Sequence, residues 1–321
     1  TPAGPLFAFR AIRGRMRRQE LSGLTALNPR WGAWLALHRF ERMVPGAATQ
    51  MRSTYETGGL AEHRFGPVDG PRVLLLHGYS EHSGRYDHVI QGMRDAGFAV
   101  AAPDHRGHGR TGPVLGITPD PATMLADLRC VRRELARRAP DVPDLLVGAS
   151  MGGLLALRLL QREPDRWHAA VLQAPAVAVP KDIPMSVVHL VRGIARIAPR
   201  LPVRPFFKPE RATRDEAFQD WMRTDPYTYR GWVRAGTGAH TYRLIRWVRR
   251  DLAKVRTPVL LTVGSEDRRV APEAVAALAD ALGGPTDQVV FPGLRHEAHQ
   301  EPERDEVVQT WVRWLEGQLP A

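Results

Sequence analysis

The chain has 321 residues, of which 43% are hydrophobic and 25% charged, as expected of a globular protein with a sizeable core. Its charge-free apolar runs are shorter than the roughly 20 residues that span a bilayer, which argues against a transmembrane anchor in this sequence. The single cysteine, Cys130, excludes an intramolecular disulfide and suits a reducing compartment. We expect a cytoplasmic or peripheral membrane protein. Because the sequence starts at Thr1 and not at methionine, a removed signal sequence is also compatible with it.

The net charge of +11 is concentrated in two segments. Residues 1–55 carry nine basic and two acidic side chains, and residues 181–250 carry fifteen and six. Such segments are candidates for peripheral contact with an anionic membrane surface. Only three of the 45 basic residues are lysine, so a solvated, arginine-biased surface is the alternative interpretation. Because no nucleic-acid-binding motif accompanies the charge, we expect no nucleic-acid partner.

Residues 1–48 are predicted to form a basic helical extension. Residues 6–27 alternate apolar side chains with arginines, and residues 31–43 place their apolar side chains near helical spacing. The first of these segments could lie on a membrane as a basic amphipathic helix. Packing on its own domain, or disorder, is the alternative.

From residue 49 the pattern predicts strands that alternate with helices. A hairpin is predicted around Gly58-Gly59, from strands at residues 49–57 and 60–65. Further strands are predicted at residues 72–77, 98–102, 144–147, 168–174, 258–263 and 288–291. Helices are predicted at residues 84–96, 121–139, 151–162, 272–282 and 302–315. Apolar strands joined by amphipathic helices indicate a mostly parallel sheet covered by helices on both faces.

This alternation is interrupted after the sixth predicted strand. Residues 180–250 are rich in proline, arginine and tryptophan and show helical apolar spacing at residues 185–197, without a series of strands. We therefore predict two parts of one core, residues 49–179 and 251–321, separated by a helical cap or lid at residues 180–250. In open α/β sheets, functional sites lie beyond the carboxyl ends of the strands, which a cap of this kind would cover.

The segment Gly148-Ala149-Ser150-Met151-Gly152 joins a predicted strand to a predicted helix. A serine at such a turn takes a strained backbone conformation, which requires neighbours without side chains two residues away on either side. The turn would expose the Ser150 hydroxyl at the end of the strand. The pattern predicts Ser150 as a nucleophile, whereas a glycine-rich turn with a bystander serine is the alternative.

A serine nucleophile needs a base and a carboxylate that orients the base. Asp267 follows one predicted strand and His296 the next, so both are expected at the same edge of the sheet as Ser150. Glu266 is an alternative candidate for the carboxylate, and His299 is an alternative candidate for the base. His296 and His299 also raise the question of a zinc site. They are three residues apart, which does not match the four-residue spacing of a zinc-binding helix, so we expect no metal.

The oxyanion that forms during attack on a carbonyl needs two hydrogen-bond donors. The backbone N–H of Met151, at the start of the helix after Ser150, is one candidate. The other is the N–H of Tyr79, in the loop after the strand at residues 72–77. Gly78 would allow this backbone to approach the substrate closely.

Five segments together resemble one known family. They are HGYSEHSGRYDHV (77–89), PDHRGHGRT (103–111), GASMGG (148–153), GSEDRRV (264–270) and LRHEAHQEPER (294–304). Their order is similar to that of the monoacylglycerol lipase and lysophospholipase branch of the α/β-hydrolases. The resemblance covers roughly residues 55–318 and includes Asp225-Pro226 in the predicted cap. Ala149 departs from the histidine that this family usually has before its nucleophile.

The resemblance implies an α/β-hydrolase fold, with Ser150 as nucleophile, Asp267 as acid, His296 as base and the N–H groups of Tyr79 and Met151 as the oxyanion hole. Glu301 matches the acidic residue that follows the family's histidine, which favours His296 over His299.

The expected function is that of a cofactor-independent serine hydrolase that cleaves carboxylic esters of lipids, namely monoacylglycerol or lysophospholipid. Met185, Val188 and Ile194 of the cap are candidates for contact with an acyl chain, although they could equally pack on the core. The alternatives are a hydrolase of a non-lipid ester, thioester or amide, and a catalytically silent binding protein.

Overall fold

The computed structural model describes residues 62–65, 70–111, 116–138 and 140–320. The predicted basic extension at residues 1–48 and the first predicted strand at residues 49–57 lie outside this part of the chain. Side chains are described for residues 70–111, 116–137 and 140–320.

Seven strands form the main sheet in the order β1-β3-β2-β4-β5-β8-β9. The strands are β1 (Glu62–Phe65), β2 (Arg72–Leu76), β3 (Ala99–Pro103), β4 (Asp144–Ala149), β5 (Ala169–Gln173), β8 (Val259–Gly264) and β9 (Thr286–Phe291). Strand β1 pairs antiparallel with β3, and the other six strands run parallel. The mostly parallel sheet that the alternating pattern predicts is thereby confirmed.

Eight α-helices connect or cover these strands in the described residues. They are α1 (Asp87–Asp95), α2 (Pro121–Arg138), α3 (Met151–Arg162), α4 (Met185–Ile197), α5 (Glu216–Thr224), α6 (Ala235–Arg250), α7 (Pro272–Ala281) and α8 (Arg304–Gly317). Most begin and end within two residues of the predicted bounds. Helix α1 begins three residues later than predicted because Ser83–Tyr86 forms a single 3-10 turn before it.

The sheet buries apolar side chains on both faces because successive residues of a strand point to opposite sides. On β2, Leu74 and Leu76 belong to one core cluster, and Val73 and Leu75 belong to the other. The first cluster includes side chains of α2, α3, α6 and α7, and the second includes side chains of α1 and α8. Helices therefore cover both faces, as predicted.

Residues 180–250, called the insertion below, separate β5 from β8. Helix α6 of the insertion packs on α3, and α4 packs along α6. Besides helices α4, α5 and α6, the insertion contains one short pair of strands, which the sequence pattern does not predict. Pro202–Pro205 (β6) and Trp232–Arg234 (β7) form an antiparallel pair. Prolines are tolerated in β6 because a two-stranded ribbon leaves one edge of each strand unpaired.

The register of the parallel strands places their carboxyl ends along one edge of the sheet. Leu76 is paired with Gly148, Ala149 with Gln173, and Gly264 with Phe291. The loops that follow β2, β4, β5, β8 and β9 therefore leave the sheet side by side. Within the described residues, no helix combines the length and the apolar character needed to cross a membrane.

Candidate active site

Ser150 lies at the sharp turn between β4 and α3. Its φ is 51° and its ψ is −110°, a conformation that costs about 1–3 kcal/mol and is found mainly at functional sites. A Cβ on Gly152 would lie 1.9 Å from the carbonyl oxygen of Leu76, and a Cβ on Gly148 would lie 2.8 Å from the backbone of Gly152. Close backbone packing therefore requires both glycines, as the sequence predicts.

Asp267 and His296 meet at the neighbouring strand ends. Nδ1 of His296 donates a hydrogen bond of 2.7 Å to Oδ2 of Asp267, and both side chains are buried. Oδ1 of Asp267 accepts hydrogen bonds from the backbone N–H groups of Arg269 at 2.7 Å and Val270 at 2.9 Å. Three donors thus hold the carboxylate in place, and its bond to Nδ1 leaves Nε2 of His296 on the far side of the ring.

The two rival residues have other environments. The side chain of Glu266 is exposed. His299 is fully buried and stacks on Tyr86 with ring centroids 4.7 Å apart, and neither of its ring nitrogens has a hydrogen-bond partner in the described part of the chain. Burial lowers the pKa of His299 well below its ordinary value, and unfavourable interactions with the neighbouring His88 and Arg85 lower this pKa further. His299 is therefore a neutral ring of the core, and the geometry pairs Asp267 with His296.

Gln173, at the end of β5, connects the Ser150 turn to the His296 loop. Its backbone oxygen accepts a hydrogen bond from the Ser150 N–H at 2.9 Å, and its Nε2 donates to the His296 carbonyl oxygen at 3.2 Å. Oε1 of Gln173 accepts from the Thr262 hydroxyl at 2.6 Å. Among the described residues, no hydrogen bond joins Ser150 Oγ directly to His296. Gln173 is not among the site residues predicted from the sequence, although a polar residue that ends an otherwise apolar strand is a signal for such a role.

Replacing Gln173 with leucine is expected to lower kcat about tenfold, since the His296 loop loses a bond that positions it. The unfolding free energy should fall by about 1–3 kcal/mol because the Thr262 hydroxyl is left buried without its partner. The double variant Q173L/T262V, which removes both partners, should recover most of the stability but not kcat. Kinetics on a soluble ester and urea unfolding measure the two effects. Wild-type kcat in both variants would show that Gln173 has no positioning role.

The two backbone N–H groups predicted as oxyanion donors border Ser150. Met151 follows Ser150 directly, and a Cβ on Gly78 would lie 3.4 Å from the Cβ of Ser150, which places the loop that carries Tyr79 beside the serine. Within the described residues, neither N–H donates a hydrogen bond to another protein group. Both are therefore available to an oxygen atom of a ligand held at Ser150.

The insertion is attached to this loop. The Tyr229 N–H donates to the Ser80 carbonyl oxygen at 3.1 Å, and the Ser80 hydroxyl donates to the Tyr229 carbonyl oxygen. Buried His82 and Asp225 form a second attachment, with 2.9 Å between Nε2 and Oδ2. Burial acts to raise the pKa of Asp225, but its contacts with His82 and Thr228 outweigh burial and lower this pKa to about 2. These contacts hold the insertion next to the site.

Two buried glutamates fix the loop that contains His296. Glu297 forms an ion pair with Arg85, and both side chains are buried. Glu301, which the resemblance singles out, accepts a hydrogen bond from the Arg295 N–H at 2.8 Å through Oε1. Its Oε2 accepts a bond of 3.1 Å from the hydroxyl of Thr213, a residue of the insertion. The His296 loop is thus bonded to the β2 loop and to the insertion.

Three buried histidines link the loops after β2 and β3. Nε2 of His77 accepts a hydrogen bond from the His105 N–H at 3.0 Å, and Nε2 of His105 donates to the His77 carbonyl oxygen at 3.1 Å. Burial, together with the neighbouring histidines, lowers the pKa of His77 well below its ordinary value. Burial similarly lowers the pKa of His105 to about 3 and that of His108 to about 4. All three are therefore neutral at pH 7, and the two bonds between His77 and His105 hold the loops together.

The sheet is mostly parallel, a strained serine follows one of its strands, and a hydrogen-bonded aspartate–histidine pair follows two others. Together these features define the α/β-hydrolase class. A family model described as Serine aminopeptidase, S33 (Hydrolase_4) matches residues 70–303. The chain therefore belongs to this family of α/β-hydrolases, and its relatives place it close to the monoacylglycerol lipases.

Three relatives illustrate this similarity. A monoacylglycerol lipase of Mycolicibacterium smegmatis is 30% identical over 81% of this chain and 98% of its own length. Caffeoylshikimate esterase of Arabidopsis thaliana is 28% identical over 89% of this chain and 91% of its own. The crystal structure of a Paleococcus ferrophilus monoacylglycerol lipase has a TM-score of 0.72 and 27% identity, and covers 81% of this chain and 99% of the other. The chain is thus a carboxylic ester hydrolase of the monoacylglycerol lipase type, which confirms the predicted family.

Proposed function

We propose that this enzyme cleaves carboxylic esters of lipids, monoacylglycerol or lysophospholipid, through Ser150, His296 and Asp267. The observation that supports the proposal most directly is the buried hydrogen bond of 2.7 Å between His296 Nδ1 and Asp267 Oδ2, at the same sheet edge as the strained Ser150 turn. A hydrogen-bonded aspartate–histidine pair at the same sheet edge as a half-buried serine fits the arrangement that acyl transfer requires.

In the first half of the reaction, Nε2 of His296 removes the proton of the Ser150 hydroxyl as Oγ attacks the ester carbonyl carbon. The Asp267 carboxylate stabilises the imidazolium that forms. The N–H groups of Tyr79 and Met151 donate hydrogen bonds to the oxyanion, which matters most as negative charge develops in the transition state. The intermediate collapses when His296 passes its proton to the leaving alcohol, and Ser150 retains the acyl group.

In the second half, water enters in place of the alcohol. His296 removes a proton from this water as it attacks the acyl-enzyme carbonyl carbon, and the same two N–H groups stabilise the second oxyanion. Collapse of this intermediate releases the carboxylic acid and returns the proton to Ser150. These steps need no group beyond the residues of the chain and water.

The insertion acts as a lid over this site in our proposal. Helix α4 buries none of its side chains in the core, so its apolar residues remain accessible to an acyl chain. Met185, Val188 and Ile194 are the residues we propose for this contact. Exposed Val187, Leu190 and Ile197 on the same helix support peripheral contact with the lipid surface from which the substrate would come.

A second candidate substrate is a non-lipid ester. Similarity to the caffeoylshikimate esterase favours this alternative, since that relative is 28% identical and matches most of this chain. The family description names an aminopeptidase, so an amide substrate is a further alternative. The enzymes among its relatives favour turnover over a catalytically silent binding role.

A panel of esters with graded acyl length tests the substrate class. Each buried CH₂ contributes about 0.8 kcal/mol, so kcat/KM for monoacylglycerols is expected to rise at least about tenfold from short to long acyl chains. Lysophospholipids and aromatic hydroxycinnamoyl esters are measured in parallel, with S150A protein as the control for contaminating esterases. Much faster turnover of short soluble or aromatic esters would overturn the lipid assignment and leave the hydrolase assignment intact.

A further inference from the structure

A cavity of about 570 Å³ lies in the insertion between α4 and α6. Its volume falls in the range of about 300–1,000 Å³ that is typical of small-molecule sites. None of the residues assigned to ester hydrolysis lines it. Its basic lining residues are Arg192 and Arg196 of α4 and His240, Arg243, Arg246 and Arg250 of α6.

Most of these guanidinium groups lack a carboxylate partner. Only Arg243 forms an ion pair, with Asp120; within the described residues, the other four arginines of the cavity form none. Neither α4 nor α6 contains an acidic residue. Like charges that face one concave space repel each other and concentrate positive potential there, which a bound anion would relieve.

Aromatic rings contact two of the cavity arginines, Arg192 and Arg243. The Arg192 guanidinium lies 5.3 Å from the centre of the Tyr242 ring, and that of Arg243 lies 5.3 Å from the centre of the Trp247 ring. Cation–π contacts of this kind order a long side chain. Arg192 and Arg196 are four residues apart on α4, and Arg246 and Arg250 are four apart on α6, so each pair shares one face of its helix.

We propose that this cavity binds a ligand that carries one or more phosphate groups. Phosphate is the anion that a group of guanidinium forks matches best, because each fork can donate two parallel hydrogen bonds to it. Several arginines in one cavity favour a ligand with two adjacent phosphates over a single carboxylate. The inference is independent of the chemistry proposed at Ser150.

Two sources could supply this phosphate: a soluble compound or the headgroup of an anionic lipid. Helical spacing places Arg192 and Arg196 on the side of α4 opposite Leu190 and Ile197, its two most exposed apolar residues, whereas exposed Met185 lies on the arginine side. A membrane that contacts the apolar side would therefore not face the cavity directly. This geometry favours the soluble source, and the experiment below compares both.

The test measures binding of inorganic pyrophosphate by calorimetry at constant ionic strength to the full chain. The cavity variant R196Q/R246Q/R250Q removes three exposed arginines that have no ion pair in the described structure. The control variant R166Q/R256Q/R313Q removes the same charge from three exposed arginines that do not line the cavity. We expect the dissociation constant to rise at least about tenfold in the cavity variant and to stay within about twofold in the control, since hydrogen bonds to charged groups are strong. Pyrophosphate should raise the melting temperature of the wild type and control only.

The lipid source is tested with phosphatidylcholine vesicles that contain or lack phosphatidic acid. Binding to phosphatidic acid vesicles alone, lost in the cavity variant and kept in the control, would support the proposal with a lipid headgroup as ligand. Absence of binding to both probes would overturn it. An equal loss of binding affinity in the cavity and control variants would also overturn the proposal, because the affinity would then depend on the net charge of the protein and not on this cavity.

Discussion

Ser150→Ala is expected to lower kcat/KM for every ester substrate by at least about 10⁴-fold, because the acyl-enzyme can no longer form. The fold should persist, since Ser150 Oγ makes no hydrogen bond to another described residue and alanine fits the same space. A fluorophosphonate probe, which labels activated serines, should modify the wild type and leave S150A unlabelled. Steady-state kinetics and mass spectrometry of the labelled protein measure the two outcomes.

Ser150→Gly provides a control that separates catalysis from backbone strain. Glycine adopts a φ of 51° without the steric cost that serine or alanine has there. S150G is therefore expected to be about 1 kcal/mol more stable than S150A in urea unfolding while being equally inactive. Substantial activity in either variant, or probe labelling at another serine, would contradict the assignment of Ser150 as the nucleophile.

Most of the sheet could be predicted because its strands have two buried faces. Largely apolar runs such as residues 73–76 and 259–263, each followed by amphipathic helical spacing, indicate a parallel sheet with little ambiguity. The Ser150 turn could also be predicted, since the close contacts of Gly148 and Gly152 admit no side chain. In both cases a local pattern determines the structure.

Features that depend on contacts distant in sequence could not be predicted. The prolines of β6 argue against a strand, and only pairing with β7 thirty residues later makes one. Gln173 gains its role from Thr262 and His296, both far along the chain. The arginine cavity likewise forms only when α4 packs on α6. Side chains in such places carry no periodic signal, because their partners are set by the tertiary fold.

Asp267→Asn is expected to lower kcat/KM about 10⁴-fold with little loss of stability, an effect of the size known for the aspartate of a serine protease triad. The reason lies in the bonds of this carboxylate. Oδ1 accepts from two backbone N–H groups, so the asparagine oxygen must take that position and its NH₂ must face His296. Nδ1 of His296 would then have to accept this hydrogen bond, and Nε2 would carry the proton. An imidazole in this tautomer cannot remove the proton of Ser150.

The neighbouring carboxylate supplies the matched control for this prediction. Glu266 adjoins Asp267 in sequence, but its side chain is exposed, so Glu266→Gln removes the same charge from the same loop without changing the bonds of His296. E266Q should keep kcat/KM within about twofold of the wild type, as surface substitutions usually do. The two carboxylates are compared by measuring kcat/KM and the rate of fluorophosphonate labelling for both variants. Urea unfolding checks that both variants are folded. Near-normal activity in D267N, or an equal loss in E266Q, would show that the bond between Asp267 and His296 does not set the tautomer used in catalysis.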